Sequence, residues 1–271
     1  MGYGGSRPLL SILRLTPCRR TCSRSTDGAC YTRGHMIAKE LDRFAPQNRF
    51  EEAGQRAEEQ MAFYLRREFG DDASVVVVND LRLERQDGHG QTDAAQIDHV
   101  VVHPGGLVLV ESKSVMSKVS CDEHGHWARH TGRYYQGMPS PVLQVERQGK
   151  FLRSYVEYAW PHMPRGWRGS VLVAISDNGL VHYVGRSPET ARAQLAVLKA
   201  DQIAPRIRTL SCKTPVLPAH EWQPSEVARL LIAAHRPRPF VTTHVMDEYD
   251  ITRAFSREMD KMMRELWKGG W

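Results

Sequence analysis

The fold is decided by residues 95–113, which read AQIDHVVVHPGGLVLVESK. Two apolar runs, Ala95–Val102 and Leu107–Ser112, flank the tetrapeptide His103-Pro104-Gly105-Gly106. Short apolar runs on either side of a Pro-Gly turn predict a β-hairpin. Both faces of this hairpin are expected to be apolar, with Ile97, Val101, Val108 and Val110 on one and Val100, Val102, Leu107 and Leu109 on the other. Such strands are typical of the covered centre of a sheet.

Two acidic residues interrupt the apolar hairpin. If the turn is symmetric about Pro104 and Gly105, Asp98 lies directly opposite Glu111, with Cβ atoms about 4.5–5.5 Å apart. Two carboxylates at that range repel each other by roughly 3 kcal/mol at an effective dielectric constant near 20. A divalent cation between them would compensate, because Mg²⁺ is commonly held by one or two carboxylates, waters and a substrate phosphate. Lys113 follows Glu111 by two residues and therefore projects from the same face.

A second interpretation of these residues stays open. Asp98 and Glu111 would lie at frayed strand ends in normal contact with water, with Lys113 as a surface ion-pair partner worth about 0 to 1 kcal/mol. A one-residue slip of the register would place the two acids on opposite faces. The register and burial of the hairpin therefore decide between a metal site and a solvated charge cluster.

The flanking sequence predicts a mixed α/β fold. Apolar residues recur at steps of three and four from Phe50 to Phe69 and from Pro141 to Tyr155, which indicates two amphipathic helices. The remaining expectations are strands at Ser74–Val78, Val171–Ile175 and Leu180–Val184, a polar turn-like stretch at Cys121–His130, and helices from Ser187, over Ser225–His235 and over Ile251–Trp267.

Three regions are expected along the chain. Residues 1–45 form a low-order N-terminal extension, residues 46–185 the core, and residues 186–271 a mostly helical C-terminal extension. Residues 1–35 are rich in Arg and Ser and contain one acid, Asp27, which indicates a disordered leader or a start upstream of the true one at Met36. Near the other end, an apolar stripe predicts core packing or a homodimer contact; it comprises Met259, Met262, Met263, Leu266 and Trp267.

Composition excludes several classes of protein. The 271 residues are 41% hydrophobic and 25% charged, which argues against a disordered polymer or a fibre. The apolar runs fall far short of the roughly 20 residues that span a bilayer, so no membrane partner is expected. Five cysteines form no disulfide framework, which favours a reducing cytoplasm. The net charge of +6 comes mostly from six arginines before Met36, so an argument for a polyanionic partner must come from a local site.

The hairpin sequence closely resembles the nuclease-related domain (NERD), a branch of the PD-(D/E)XK nuclease-like superfamily. An acid, a hairpin turn and then Glu-x-Lys form the core signature, here Asp98 followed by Glu111-Ser112-Lys113. Further matches occur in order along the chain, at Gly54, Glu58, Asp122, Gly125, Trp127, Pro141 and Gln144. The chain departs from the pattern at Ala57, where relatives often carry Gly, and at Ser112-Lys113-Ser114, where Thr-Lys-Asn is frequent.

The resemblance implies a restriction-endonuclease-like α/β fold and metal-dependent hydrolysis of phosphodiester bonds. It makes Asp98, Glu111, the Ser112 carbonyl and Glu58 the residues that hold Mg²⁺ or Mn²⁺, with Glu58 acting directly or through a water. Lys113 would orient the attacking water and stabilise charge on the phosphate. Gln144 would position the nucleophile or the nucleic-acid backbone.

The function expected from these residues is a metal-dependent deoxyribonuclease with DNA as its partner. A nucleic-acid-binding or scaffold module that keeps the fold without turnover is the alternative from another class, although such a module would not need both acids and Lys113. Cleavage of RNA uses the same site and is not separated from DNA cleavage by the sequence. A mixture of cations and aromatic residues at Arg129, Arg133, Tyr134 and Tyr135 is compatible with a base-stacking surface or with a solvated loop.

Overall fold

The computed structural model describes residues 36–42, 44–86, 92–115, 117–164 and 166–237. The expected leader at residues 1–35 and the Ile251–Trp267 helix with its apolar stripe lie outside the described residues. The elements in chain order are β1 Ile37–Lys39, α1 Arg49–Phe69, β2 Val76–Gln86, β3 Thr92–His103, β4 Gly106–Lys113, β5 Lys118–Cys121, β6 Trp127–His130, β7 Tyr135–Met138, α2 Pro141–Ala159, β8 Arg168–Ile175, β9 Leu180–Tyr183, α3 Pro188–Ala196, β10 Val197–Lys199, α4 Ala200–Lys213 and α5 Pro224–Ala234.

A six-stranded mixed sheet in the order β1-β2-β3-β4-β8-β10 forms the centre of the described fold. β2, β3 and β4 pair antiparallel, whereas β1, β8 and β10 run parallel to their neighbours. The predicted hairpin, β3–β4, occupies the two middle positions. The expectation of a mixed α/β fold with a mixed central sheet flanked by helices is therefore confirmed.

The hairpin has the predicted register. Val102 pairs with Leu107, Val100 with Leu109 and His99 with Val110. The next rung of this ladder brings Asp98 to the level of Glu111. The alternative register, slipped by one residue, is excluded.

One residue lies on a different face from the one predicted. Ile97 packs in the same apolar cluster as Val100 and Val102, not with Val101. The reason is a distortion next to it: Asp80 on β2 has a positive φ of 48°, and the ladder passes from Asn79–His99 to Leu81–Ile97 around it. Strict alternation of side chains holds only for a regular ladder. The register does not shift across Asp80, but the next pair, Leu81 and Ile97, lies in the cluster on the α2 side.

Helices cover both sides of the hairpin. On one face, Met61 and Leu65 of α1 and Ile203 of α4 pack against β-strand residues that include Val101 and Val108. On the other face, α2 and α5 pack over Val100, Val102, Leu107 and Leu109. Burying large aliphatic side chains on both faces contributes about 1.5–3 kcal/mol for each of them. The two acidic residues therefore lie in the buried centre of the described fold.

A second sheet has the order β7-β6-β5-β9. Its strand β9 confirms the strand predicted at Leu180–Val184, whereas β5 and β6 lie at the two ends of the stretch for which the sequence predicted only a polar turn. The buried residues of this sheet are Val119, Cys121 and Trp127. All three belong to the apolar cluster on the face of the central sheet that α2 and α5 cover. The turn itself is present between β5 and β6, where Gly125 has φ +79°. The prediction of a turn-like stretch at Cys121–His130 was wrong outside this turn, since β5 and β6 are strands. Each has only four residues and polar residues at its outward positions, so the alternation of apolar and polar residues is hard to recognise in the sequence.

The chain after residue 185 also contributes to the central sheet. β10 pairs parallel with β8, and α4 packs against α1. The sequence did not predict α4, which contains Pro205 within the helix. Among the helices that the structure describes, none combines the length and the apolar character that a bilayer crossing requires.

The turn of the hairpin predicts a position that is sensitive to substitution. Gly106 has φ +150°, and a Cβ placed there would lie 1.9 Å from the carbonyl oxygen of Arg168 on the neighbouring strand. We expect Gly106→Ala to lower the free energy of unfolding by about 3 kcal/mol, because β4 and β8 must separate to accept the methyl group. Chemical denaturation measures this change. Gly137→Ala is the control, since no heavy atom lies within 4 Å of its added Cβ. This control should change the free energy of unfolding by no more than about 0.5 kcal/mol. Equal effects of the two substitutions would contradict the register.

Candidate active site

The two acids of the hairpin are buried side by side on adjacent strands. The exposed fractions of Asp98 and Glu111 are 7% and 3%. Asp98 accepts a hydrogen bond through Oδ2 from the backbone N–H of Ser112 at 2.7 Å. This burial excludes the interpretation in which both acids are solvated at frayed strand ends.

Burial changes the acidity of Asp98. The pKa of this carboxyl group is raised well above its usual value, first because the group is desolvated and then because Glu111 and Glu58 place negative charge nearby. The Ser112 N–H and the Lys113 ammonium offset part of this rise. Asp98 therefore holds its proton more tightly than an exposed aspartate does.

Three side-chain donors hold Glu111 in one orientation. Its Oε1 accepts from Lys113 Nζ at 2.6 Å and from Gln144 Nε2 at 2.8 Å. Its Oε2 accepts from Gln148 Nε2 at 2.8 Å. Gln144 and Gln148 lie one turn apart on α2, near the end that Ser140 caps, so the helix delivers both amides to the same carboxylate.

Gln148 was not predicted as a site residue, although its spacing from Gln144 indicates that it belongs to the same site. It follows Gln144 by four residues and therefore shares its helix face. The same Nε2 atom of Gln148 also donates to the backbone carbonyl of Gln96 at 2.8 Å, and Gln96 donates to Asp80 at 3.0 Å. The irregular ladder at Asp80 is thereby connected to the carboxylate of Glu111.

A buried histidine fixes the neighbouring rung. The ring nitrogens of His99 contact Asn79 Oδ1 at 2.8 Å and Ser112 Oγ at 3.1 Å. Desolvation lowers the pKa of His99 to about 3, so the ring is neutral near pH 7. His99 thus ties β2, β3 and β4 together beside Asp98 without adding charge. This role could not be predicted from local sequence patterns, because it depends on the pairing of β2 with β3.

The predicted site residues lie around one cavity of about 360 Å³. Glu58 enters it from α1, and Arg129 from β6 also lines it. The predicted residues in its lining are Glu58, Asp98, Glu111, Ser112, Lys113 and Gln144. The structure therefore brings together every residue that the sequence predicted for the site, from four separate elements.

The donor set fits a hard cation. Two carboxylates on adjacent strands and a backbone carbonyl supply the oxygen ligands that Mg²⁺ prefers, with water completing its shell. Among the described residues, no three His, Cys, Asp or Glu side chains are grouped so that they could hold a metal ion together. Glu58 therefore lines the cavity without joining Asp98 and Glu111 in such a cluster.

Comparison with known families gives one match. Residues 53–175 match the family model described as NERD, nuclease-related domain. Neither a curated protein nor a solved structure matches the chain. The expected resemblance is confirmed: this segment, which runs from α1 to the end of β8, matches the nuclease-related domain, and it contains every predicted site residue.

The raised pKa of Asp98 predicts a stability change in the metal-free protein. The folded state holds the proton of Asp98 more tightly than the unfolded state does, so stability is lost as pH rises from about 3.8 through the raised pKa. We expect Asp98→Asn to raise the melting temperature at neutral pH by roughly 2–4 °C for each kcal/mol recovered. Thermal melts in EDTA between pH 5 and pH 8 measure this gain.

An exposed acid on the same strand provides the control for Asp98→Asn. Asp93 on β3 has a side chain that is 58% exposed, so Asp93→Asn should leave the melting temperature almost unchanged. The gain for Asp98→Asn should grow with pH. A melting temperature for Asp98→Asn below that of the unsubstituted protein throughout this range would contradict the account.

Proposed function

We propose that the nuclease-related domain hydrolyses phosphodiester bonds in DNA, with Mg²⁺ or Mn²⁺ as cofactor. The single observation that carries this proposal is the pair of buried carboxylates, Asp98 and Glu111, with the Lys113 ammonium 2.6 Å from Glu111. A domain that only binds nucleic acid has no need to desolvate two like charges, which costs free energy unless a cation compensates.

Each side chain has a role that follows from its position. Asp98, Glu111 and the Ser112 carbonyl would hold the cation, and Glu58 would contact it through a water. When bound, the cation lowers the pKa of a water molecule and neutralises charge on the phosphate.

Lys113 supplies the second positive charge. Its side chain is 26% exposed and reaches the cavity from the same strand face as Glu111. A lysine ammonium acts as a compact point charge, so Lys113 orients the attacking water and stabilises the developing oxyanion. Gln144 and Gln148 keep the Glu111 carboxylate in one orientation through their hydrogen bonds while charge develops on the phosphate.

Substitutions in the site test the hydrolysis. Asp98→Asn, Glu111→Gln and Lys113→Met should each reduce cleavage of single-stranded and duplex DNA by about 100-fold or more, because each removes a charge that acts on the phosphate or its water. Gel assays of the full chain with Mg²⁺ or Mn²⁺ measure the rate, and EDTA should abolish it. Glu157→Gln on α2 and Lys213→Met on α4 remove exposed charges and should keep the full rate. Undiminished cleavage by all three site variants would contradict the proposal.

Metal affinity should depend on pH in a defined direction. Asp98 must lose its proton before it coordinates a cation, and its pKa is raised, so the affinity for Mn²⁺ should increase as pH rises from 5 to 8. Isothermal titration calorimetry measures this dependence without any turnover. Glu111→Gln should abolish the binding, and Glu157→Gln should preserve both affinity and pH dependence. Tight, pH-independent Mn²⁺ binding by the unsubstituted chain would contradict the assigned ligands.

A further inference from the structure

A second groove lies beside the acidic cavity, between the start of β3 and α2. Its volume is about 800 Å³. Asp93 and Gln96 line it from β3, and Arg147, Lys150 and Phe151 line it from α2. These α2 residues have no role in the proposed hydrolysis, so the groove is a candidate for a second function.

The groove is continuous with the acidic cavity. Gln96, Gln144 and Gln148 line both spaces. Gln148 forms the shared wall, because its Nε2 atom lies 2.8 Å from Glu111 Oε2 on one side and 2.8 Å from the Gln96 carbonyl on the other. A chain-like ligand with one unit at Glu111 would therefore extend directly into the groove.

The charge of the groove is opposite to that of the cavity. Its ionisable lining consists of three cations and one carboxylate, namely Arg85, Arg147, Lys150 and Asp93. Arg147 and Lys150 are exposed, and the two acids of α2, Glu146 and Glu157, pair instead with Arg192 and Arg153. A positive groove next to a metal-binding carboxylate pair fits a polyanion that continues beyond the reacting phosphate.

An aromatic ring completes the lining. Phe151 is half-buried in the wall of the groove and packs against Tyr155, with ring centroids 6.1 Å apart. The Arg85 guanidinium lies 5.6 Å from the Phe151 ring centroid. Cations that follow a backbone, combined with an aromatic ring that a base can stack on, are characteristic of surfaces that bind unpaired strands.

We propose that this groove binds single-stranded nucleic acid on one side of the phosphate that reacts. Arg147 and Lys150 contact backbone phosphates, and Phe151 stacks with an unpaired base. The proposal rests on the hydrolysis site proposed above, and it adds that the substrate is a strand with unpaired bases.

Salt dependence of binding tests the phosphate contacts. Each contact to a single strand contributes about −0.7 to the slope of log K against log [salt]. The double variant Arg147→Gln/Lys150→Gln should therefore make the slope less negative by about 1.4 and weaken binding about 25-fold at 0.1 M salt. Fluorescence anisotropy in EDTA, with labelled oligodeoxyuridine and oligouridine, which differ only in the 2′-hydroxyl group, measures binding without cleavage. The tighter of the two identifies the preferred sugar.

A matched control lies on the opposite face of the central sheet. Arg206→Gln/Lys213→Gln on α4 removes the same charge far from the groove and should leave the slope unchanged. Phe151→Leu keeps the apolar packing and should weaken binding about 10-fold, because a stacked base is lost, with no change in slope. An unchanged slope in the groove variant, an equal loss in the α4 control, or tighter binding to a duplex of the same length would each overturn the proposal.

The failure of the groove and the failure of the active site are distinguishable. Bis(p-nitrophenyl) phosphate is a small diester with a single phosphate, so it has no further backbone phosphate for Arg147 and Lys150 to contact. Its Mn²⁺-dependent hydrolysis should survive Arg147→Gln/Lys150→Gln and disappear in Glu111→Gln. Groove-dependent binding with no hydrolysis of any diester would contradict only the hydrolysis, and hydrolysis with groove-independent binding would contradict only the groove.

Discussion

The structure depends on two carboxylates that are desolvated on adjacent central strands. Asp98 and Glu111 lie where the apolar cores on both faces of the hairpin would otherwise favour aliphatic side chains. The protein meets part of the cost with fixed donors, the Ser112 N–H for Asp98 and Lys113, Gln144 and Gln148 for Glu111. Burial and the neighbouring acids Glu111 and Glu58 still raise the pKa of Asp98, so these donors do not offset the full cost of ionising it. In the proposed function, a cation held by the two carboxylates would offset the rest of this cost and attract phosphates.

The surrounding elements hold this charge in place. α2 brings two amides to Glu111, while neutral His99 connects the neighbouring rung to Asn79 and Ser112. Hydrogen bonds of this kind orient the groups that touch a metal or a substrate, and their loss typically reduces affinity or activity. The basic groove along α2 then continues from the same amides, so one helix serves both the carboxylate and the proposed strand path.

Much of this arrangement could be predicted from the sequence, because it rests on local patterns. The Pro104-Gly105 turn and the apolar runs around it determined the register that places Asp98 beside Glu111, and the helical period located α1 and α2. Other features depend on contacts between distant segments. His99 and Asn79 meet only after β2 pairs with β3, the changed face of Ile97 follows from the backbone of Asp80, and the short strands β5 to β7 and α4 with its internal Pro205 have weak local signals.

The central claim is that Asp98 and Glu111 share one cation. The most direct measurement is an anomalous difference map from crystals of the chain grown with Mn²⁺. We expect a single strong peak between the two carboxylates, with metal–oxygen distances of about 2.0–2.2 Å to both. A peak elsewhere, or no peak at saturating Mn²⁺ in crystals at neutral pH, would contradict it.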